Sequence, residues 1–339
     1  MGISSYGNLL YLLVAKPPYK LCMPAISASA PGKIILFGEH AVVYGRPAIA
    51  VPLNQVQAKA FVFPEPHMPS GYINIQAPNL GLEVNLSELP INHPLAAAIQ
   101  GVLTEIDVSR PPALTLRVTS SIPLAAGLGS GAAVSAAIIR ALSKFLGHSL
   151  PDQRVSDLVF EVEKIHHGTP SGIDNTVITF EMPVFFIRDD LEGNTIETIK
   201  IAKPFTLVIA DTGISSPTST TVSDVRFAWE NNPVHYEQLF DEIGEVALDA
   251  RSAIENGQIE ALGTLMNKNH SLLIDLGVSS PELDHLVLTA RTTGALGAKL
   301  SGGGRGGNII ALTDSSTSRY LAASLEKAGA VHTQISDIN

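Results

Sequence analysis

The chain has 339 residues, of which 45% are hydrophobic and 16% are charged, so it can bury one large core or two ordinary ones. Its formal net charge of −10 argues against a nucleic-acid-binding surface, because such surfaces are usually basic. The single cysteine, Cys22, excludes an internal disulfide and fits a cytoplasmic protein, and no apolar run is long enough to predict a membrane span.

The first 22 residues are predicted to be an extension that precedes the folded body. Residues 9–15 form an apolar run, but the nearby cations, Lys16 and Lys20, follow it. A secretory signal would carry its positive charge first and a small-residue cleavage site afterwards. We therefore expect an N-terminal extension at 1–22 rather than a signal peptide, with the patterned sequence starting at Met23.

The N-terminal half combines strands and helices. Residues that favour strands cluster over 26–63, and the strict alternation at 113–119 predicts another strand. Helices are predicted at 131–146, which is small and apolar nearly all round, and at 152–166. Further strands are expected near 176–187 and at 205–211.

From about residue 217 the pattern changes to long helices, which predicts a second domain. These helices are expected at 217–230, 235–255, 258–274 and 281–293. Two strands, one helix and a last strand follow at 298–301, 308–312, 316–328 and 330–336. The predicted fold class is α+β, with domains at 23–205 and 206–339.

A glycine-rich segment, Gly-Leu-Gly-Ser-Gly-Ala-Ala, occupies residues 127–133 at the start of a predicted helix. Glycines let the backbone approach an anion closely, and the first N–H groups of the helix point at that anion. The segment lacks the Gly-Lys-Ser/Thr ending of a Walker A loop, so by itself it is a weak signal that an ordinary tight turn explains better. Small residues after it, such as Ala132 and Ala136, favour the phosphate site because they permit a close approach.

A second segment, residues 31–40, supplies a lysine and a carboxylate. Considered singly, Lys33 is better explained as a solvated surface lysine, and Glu39 and His40 can likewise be surface polar residues. The apolar run at 34–37 instead indicates that the segment is buried, and buried charges need partners.

Two more carboxylates, Glu163 and Asp174, lie eleven residues apart. Glu163 is on a predicted helix, where it can hold Mg²⁺, and Asp174 is on a predicted loop after a turn, where it can face a substrate hydroxyl. The alternatives are a surface ion pair for Glu163 and helix capping for Asp174. An anion cradle, a cation and paired acids are together the parts of a phosphoryl-transfer site.

Over residues 25–335 the chain resembles the kinase superfamily named for galactose, homoserine, mevalonate and phosphomevalonate. The resemblance is carried by residues 33–45, 167–175 and 269–279, and by the glycine-rich segments at 127–133 and 301–307. Within the superfamily the chain is most similar to the branch that acts on mevalonate. The resemblance implies two α+β domains with the active site between them, a mixed N-terminal sheet with a left-handed βαβ unit, and a ferredoxin-like C-terminal domain.

The same resemblance implies ATP-dependent phosphorylation of the C5 hydroxyl of mevalonate, with Mg²⁺ as the metal. Asp174 is expected to take the proton from the hydroxyl, with Lys33 beside it, and Ser130 and Glu163 are expected to hold the metal. The expected ATP-binding residues are Gly127, Leu128, Gly129, Ser130, Gly131, Ala132 and Arg305. The expected substrate-binding residues are Glu39, His40 and Thr218. The expected partners are the small-molecule substrate and ATP. The sequence is compatible with a homodimer but does not fix the oligomeric state.

Two features depart from the family pattern. Gly131 stands where a second serine is common, so metal binding would rely on Ser130 and Glu163. Arg305 interrupts a segment that is usually almost all glycine. Its side chain can point to solvent, pair with a carboxylate across the domain gap, or approach a phosphate or the substrate carboxylate. The last is favoured because a guanidinium binds anions well.

Two other functions stay open at this point. One is a different small-molecule kinase of the superfamily, acting on phosphomevalonate, homoserine or a sugar. The other is a non-catalytic ligand sensor on the same fold. The presence of Lys33, Glu163 and Asp174 argues against a sensor, because a sensor needs no proton acceptor.

Overall fold

The computed structural model of the protein describes residues 25–123, 127–167, 170–189, 191, 193–215 and 217–339. For residues 166 and 167 it describes the backbone alone. The predicted extension at 1–22 lies outside these ranges. Within them, no helix is both long and apolar enough to cross a bilayer.

The N-terminal half builds a mixed sheet of seven strands among the described residues. The strands are β1 (Ile26–Phe37), β2 (Ala48–Pro64), β3 (Ile73–Ala77), β4 (Leu82–Asn85), β5 (Leu114–Ser120), β6 (Val184–Ile187) and β7 (Thr195–Thr198). Their order is β4-β3-β5-β2-β6-β7, and β1 pairs with β2. Among the described strands of this sheet, β3 and β5 pair in parallel and the other neighbours are antiparallel, as the expected mixed sheet requires.

In the described part of this half, four α-helices accompany the sheet: α1 (Pro94–Glu105), α2 (Ser130–Phe145), α3 (Asp152–His167) and α4 (Ile173–Phe180). Between β3 and β5 the chain forms α1, which completes a βαβ unit whose hand stays a prediction. The small residues of α2 let it pack closely on β1 and β2, so its N-terminus lies near the end of β1.

The expected strand near 176–187 is wrong in its first half, because residues 176–180 belong to α4. β-Branched residues such as Thr176, Val177 and Ile178 favour a strand locally. The segment is helical for two reasons. Gly172 adopts a left-handed φ of 92° at the start of the helix, and the apolar side of the helix packs on β1, α2 and α3. Tertiary packing therefore overrides local propensity here.

The C-terminal half contains a second sheet made of β8 (Phe205–Asp211), β9 (Gly297–Ser301), β10 (Asn308–Thr313) and β11 (His332–Ile338). Its order is β11-β8-β10-β9, and each neighbouring pair is antiparallel. The helices are α5 (Thr218–Asn231), α6 (Pro233–Glu255), α7 (Ile259–Asp275), α8 (Pro281–Thr292) and α9 (Ser318–Lys327). With α5–α8 between its first two strands and α9 before its last, this half has the βαββαβ pattern of a ferredoxin-like domain, as expected.

One continuous cluster of buried residues joins the two sheets. It includes Ile34 and Leu116 from the first sheet and Ile209 and Leu300 from the second. The chain passes from one sheet to the other between Thr198 and Phe205. The division into domains at residue 205 stays a proposal.

Close contact between α7 and β9 depends on two glycines, and we expect Gly297→Ala to break it. A Cβ at Gly297 would lie 2.0 Å from the carbonyl oxygen of Gly263, which is backbone and cannot move aside. The free energy of unfolding should fall by about 3 kcal/mol, the scale of a severe overpacking, as measured by urea denaturation. Gly101→Ala on α1 is the control, because its Cβ would make an ordinary 3.4 Å contact and should not destabilise the protein. Equal stability of the two variants would contradict the prediction.

Candidate active site

Lys33 and Asp174 form an ion pair at the centre of the site. Lys33 lies in β1 and is 5% exposed, and its Nζ is 2.9 Å from Oδ1 of Asp174. Asp174 is the second residue of α4, so the expectation that it lies on a loop is wrong. It does not cap the helix either, because Gly172 occupies that position. The helix instead points the carboxylate at the lysine.

The glycine-rich turn at 127–133 lies directly against Lys33. The backbone N–H of Lys33 donates to the carbonyl oxygen of Leu128 at 3.0 Å. Gly129 precedes α2 with φ 71°, and a Cβ there would lie 2.9 Å from Cγ of Lys33. Only glycine fits at this point, so the turn and the N-terminus of α2 are held beside the Lys33–Asp174 pair.

Glu163 on α3 brings a second carboxylate to the same place. It is buried, and a Cβ added to Gly131 would lie 3.4 Å from its Oε1, so its carboxylate adjoins the first turn of α2. The pKa of Glu163 is raised to about 7, mainly by burial and also by repulsion from Asp174, while Lys33 opposes the shift. The structure thus brings together Lys33, Glu163, Asp174 and the glycine-rich turn.

The shifted pKa predicts a pH-dependent stability in the absence of metal and nucleotide. From the ordinary value of 4.5 up to about 7, folded Glu163 keeps a proton that the unfolded chain releases. This contribution to stability is complete below pH 4.5 and is lost as the pH rises to about 7. Glu163→Gln removes it, so the stability of the variant relative to wild type should rise with pH, by at most about 1.4 kcal/mol per pH unit within that window.

Urea denaturation across that pH range checks this expectation. The matched control is Glu161→Gln, on the same helix, whose carboxylate is exposed and pairs with Lys164. Its stability difference from wild type should not vary in the same way. If the Glu163→Gln and wild-type stabilities stay parallel across the window, Glu163 does not titrate there.

Glu39 lies in a fully buried ion pair with Lys299 of β9. Its second oxygen accepts a hydrogen bond of 3.2 Å from Nδ2 of Asn269 on α7. Burial lowers the pKa of Lys299, and the nearby Glu39 opposes that shift. Glu39 was expected to line the substrate pocket, but its side chain has no exposed surface in this structure.

The sequence pattern does not single out Lys299 or Asn269 as functional residues. The one sequence feature that points to Lys299 is its position among the otherwise apolar and small residues of β9. A lysine in a strand that is buried along its whole length requires an acidic partner, which sequence alone does not locate.

His40 adopts a left-handed φ of 60°, which is uncommon for a residue other than glycine. Its Nε2 is 3.0 Å from the carbonyl oxygen of Gly303, so this nitrogen carries the proton. The pKa of His40 is lowered to about 4, mainly by burial. The hydrogen bond to Gly303 opposes this shift, and the positive charge of Arg305 adds to it. The side chain is therefore neutral near pH 7, and Nδ1 is left as an acceptor.

Thr218, the first residue of α5, lies on the other side of Gly303. A Cβ added to Gly303 would be 2.8 Å from Oγ1 of Thr218. The second glycine-rich segment therefore runs between His40 and Thr218, which brings two of the three expected substrate residues close to each other.

Arg305 pairs with Asp224 of α5, and its Nε lies 3.4 Å from the carbonyl oxygen of Gly277. Both charged side chains are exposed. The pair lies within the second domain, not across the gap between domains. The expected contact of Arg305 with ATP stays a prediction.

The sequence was compared with known protein families and with characterised proteins. Residues 93–181 match the description "GHMP kinases N terminal domain", and residues 250–331 match "GHMP kinases C terminal". A mevalonate kinase of Thermococcus gammatolerans is 38% identical over 88% of this chain and 92% of its own. A mevalonate kinase of Saccharolobus solfataricus is 32% identical over 85% of this chain and 90% of its own.

Solved structures agree with these sequence relatives. The crystal structure of L. major mevalonate kinase in complex with R-mevalonate superposes with a TM-score of 0.80 and 32% identity, covering 92% of this chain and 95% of that one. The Methanococcus jannaschii mevalonate kinase gives 0.79 and 27%, covering 94% and 99%. The chain belongs to the GHMP kinase family.

Proposed function

We propose that this protein transfers the γ-phosphoryl group of ATP to the C5 hydroxyl of mevalonate and releases ADP and 5-phosphomevalonate. The observation that carries the proposal is the Lys33–Asp174 pair, 2.9 Å apart, beside a glycine-rich turn at the N-terminus of α2. A kinase needs this combination of a proton acceptor, a cation and an anion cradle. The sequence relatives are named mevalonate kinases, so mevalonate is the proposed substrate.

The hydroxyl oxygen of the substrate attacks the γ-phosphorus, the bond to the β-phosphate oxygen breaks, and the hydroxyl proton goes to Asp174. Lys33 keeps the Asp174 carboxylate in place and stabilises negative charge on the transferring group. The backbone N–H groups at the N-terminus of α2 face the phosphates, with residues 127–132 as the ATP-binding turn. His40 and Thr218 contact mevalonate, and Arg305 exchanges its exposed partner Asp224 for a phosphate of ATP.

Ser130 and Glu163 fit a Mg²⁺ site, because a hydroxyl and a carboxylate are the hard oxygen ligands that this ion prefers. Ser130 begins α2, and the Glu163 carboxylate adjoins Gly131 next to it. Held by Ser130 and Glu163, the ion would neutralise charge on the phosphates of ATP.

A panel of substrates tests the proposed function. ADP release should be observed with mevalonate and not with phosphomevalonate, homoserine or galactose, and phosphorus NMR should identify 5-phosphomevalonate. ADP release with another member of the panel would favour the second kinase function. Binding of mevalonate without any ADP release would favour a sensor. The homodimer and the cytoplasmic location also stay predictions.

A further inference from the structure

We propose that Lys299 is a positioning residue for mevalonate binding, and that Glu39 serves as its buried anchor and not as a ligand contact. The proposal rests on the proposed function, in which His40 and Thr218 contact mevalonate. It assigns the ion pair the task of holding His40 against the glycine-rich segment at 301–307.

The first observation is the isolation of the pair from solvent. The side chains of Lys299 and Glu39 are both 0% exposed. The Lys299 ammonium also donates to the carbonyl oxygen of Leu300 at 2.6 Å, and the second oxygen of Glu39 accepts from Asn269. Since neither charge has exposed surface, neither side chain can contact a ligand directly in this structure, and the pair can act on the site by fixing the segments that carry it.

The second observation is what those segments carry. Glu39 directly precedes His40, and Lys299 lies two residues before Ser301, where the glycine-rich segment begins. Two more contacts join these segments, because Oγ of Ser301 donates to the carbonyl oxygen of Ile35 at 2.7 Å and Nε2 of His40 donates to that of Gly303. The end of β1 and the glycine-rich segment are therefore joined at three points, of which only the ion pair is charged.

The third observation is how little the backbone can otherwise adapt. Gly38 has φ 90°, and a Cβ there would lie 2.4 Å from the carbonyl oxygen of Pro47, so this side of the turn is tightly packed. His40 is held at φ 60°, a conformation that surrounding contacts must maintain. Removing the Lys299 ammonium leaves a buried carboxylate without its counter-ion, which should move Glu39 toward water and displace His40 with it.

The ATP side of the site should be affected less. Lys33 is held separately, by its ion pair with Asp174 and by its backbone hydrogen bond to Leu128. Neither contact involves Lys299. A defect in positioning should therefore appear in mevalonate binding and spare ATP binding.

Lys299→Met tests the proposal. We expect the KM for mevalonate to rise about tenfold or more while the KM for ATP stays within about twofold, and calorimetry should show the matching loss of mevalonate affinity. The control is Arg46→Met, because Arg46 also makes an ion pair between the two domains, with Glu237 and Asp241 of α6, but at a partly exposed place. It should leave both KM values unchanged.

The double variant Glu39→Gln with Lys299→Met keeps the test valid if Lys299→Met fails to fold. It has no charge to bury, so it should melt close to the wild-type temperature. It also lacks the ion pair that joins the two segments, so its KM for mevalonate should still be raised, although by less than in Lys299→Met. Wild-type KM values in the double variant would overturn the proposal, as would equal rises of both KM values in Lys299→Met, or an equal mevalonate defect in Arg46→Met. Failure of the proposed function is seen separately, as wild-type protein that does not phosphorylate mevalonate.

Discussion

Asp174→Asn is expected to lower kcat by about two to four orders of magnitude, the scale of losing a positioned acid–base group. Asparagine keeps the size of the side chain but cannot accept the hydroxyl proton. ATP binding should persist, because the glycine-rich turn is held through Lys33 and Leu128 and not through Asp174. Steady-state kinetics and nucleotide titration measure the two quantities.

The matched control is Asp157→Asn on α3, whose carboxylate is exposed and pairs with Arg154. It should leave kcat unchanged. If the kcat of Asp174→Asn stayed within about threefold of wild type, Asp174 would not take part in the chemical step, since losing a proton acceptor should lower kcat by far more.

Lys33→Met is expected to lower kcat by about two to three orders of magnitude, because it removes the cation that stabilises the transferring charge. Lys33 is nearly buried, and its ammonium lies 2.9 Å from the Asp174 carboxylate. Methionine fills a similar volume, so the turn at Gly129 should stay packed against the side chain. Lys59→Met on β2 is the control, because Lys59 is an exposed lysine of the neighbouring strand.

Because Lys33 and Asp174 act as one unit, their effects should not add. The double variant should be about as slow as Asp174→Asn alone, as measured by a double-mutant cycle on kcat. If the two losses multiply, each residue acts independently and the ion pair is not the working unit. Circular dichroism and melting temperatures of all four proteins show whether folding contributes.

Much of the fold is readable from local pattern. The strand at 205–211 and the helices of the C-terminal half lie within two residues of their predicted bounds. These elements have long periodic patterns with clear ends. Residues 176–180 do not follow their local pattern, because their β-branched side chains favour a strand while packing against β1 and two helices makes them helical.

In the candidate site, too, the residue types could be read from the sequence, but the contacts between them could not. The residue types at Lys33, Glu163 and Asp174 and the glycines at 127–133 indicate phosphoryl transfer, and the structure brings them together. Their contacts could not be predicted from the sequence, because they join β1, α2, α3 and α4 across long separations in the chain. Arg305 shows the same limit, since its partner Asp224 is 81 residues away.

The sequence by itself determined where the backbone can approach an anion, because glycine spacing and helix starts are local properties. Only the tertiary structure decided which charges are buried and with which partners. The Glu39–Lys299 pair joins residues 260 positions apart, and nothing in either segment indicates the other. Burial makes that pairing obligatory, because a charge without solvent must find its counter-ion wherever the fold places one.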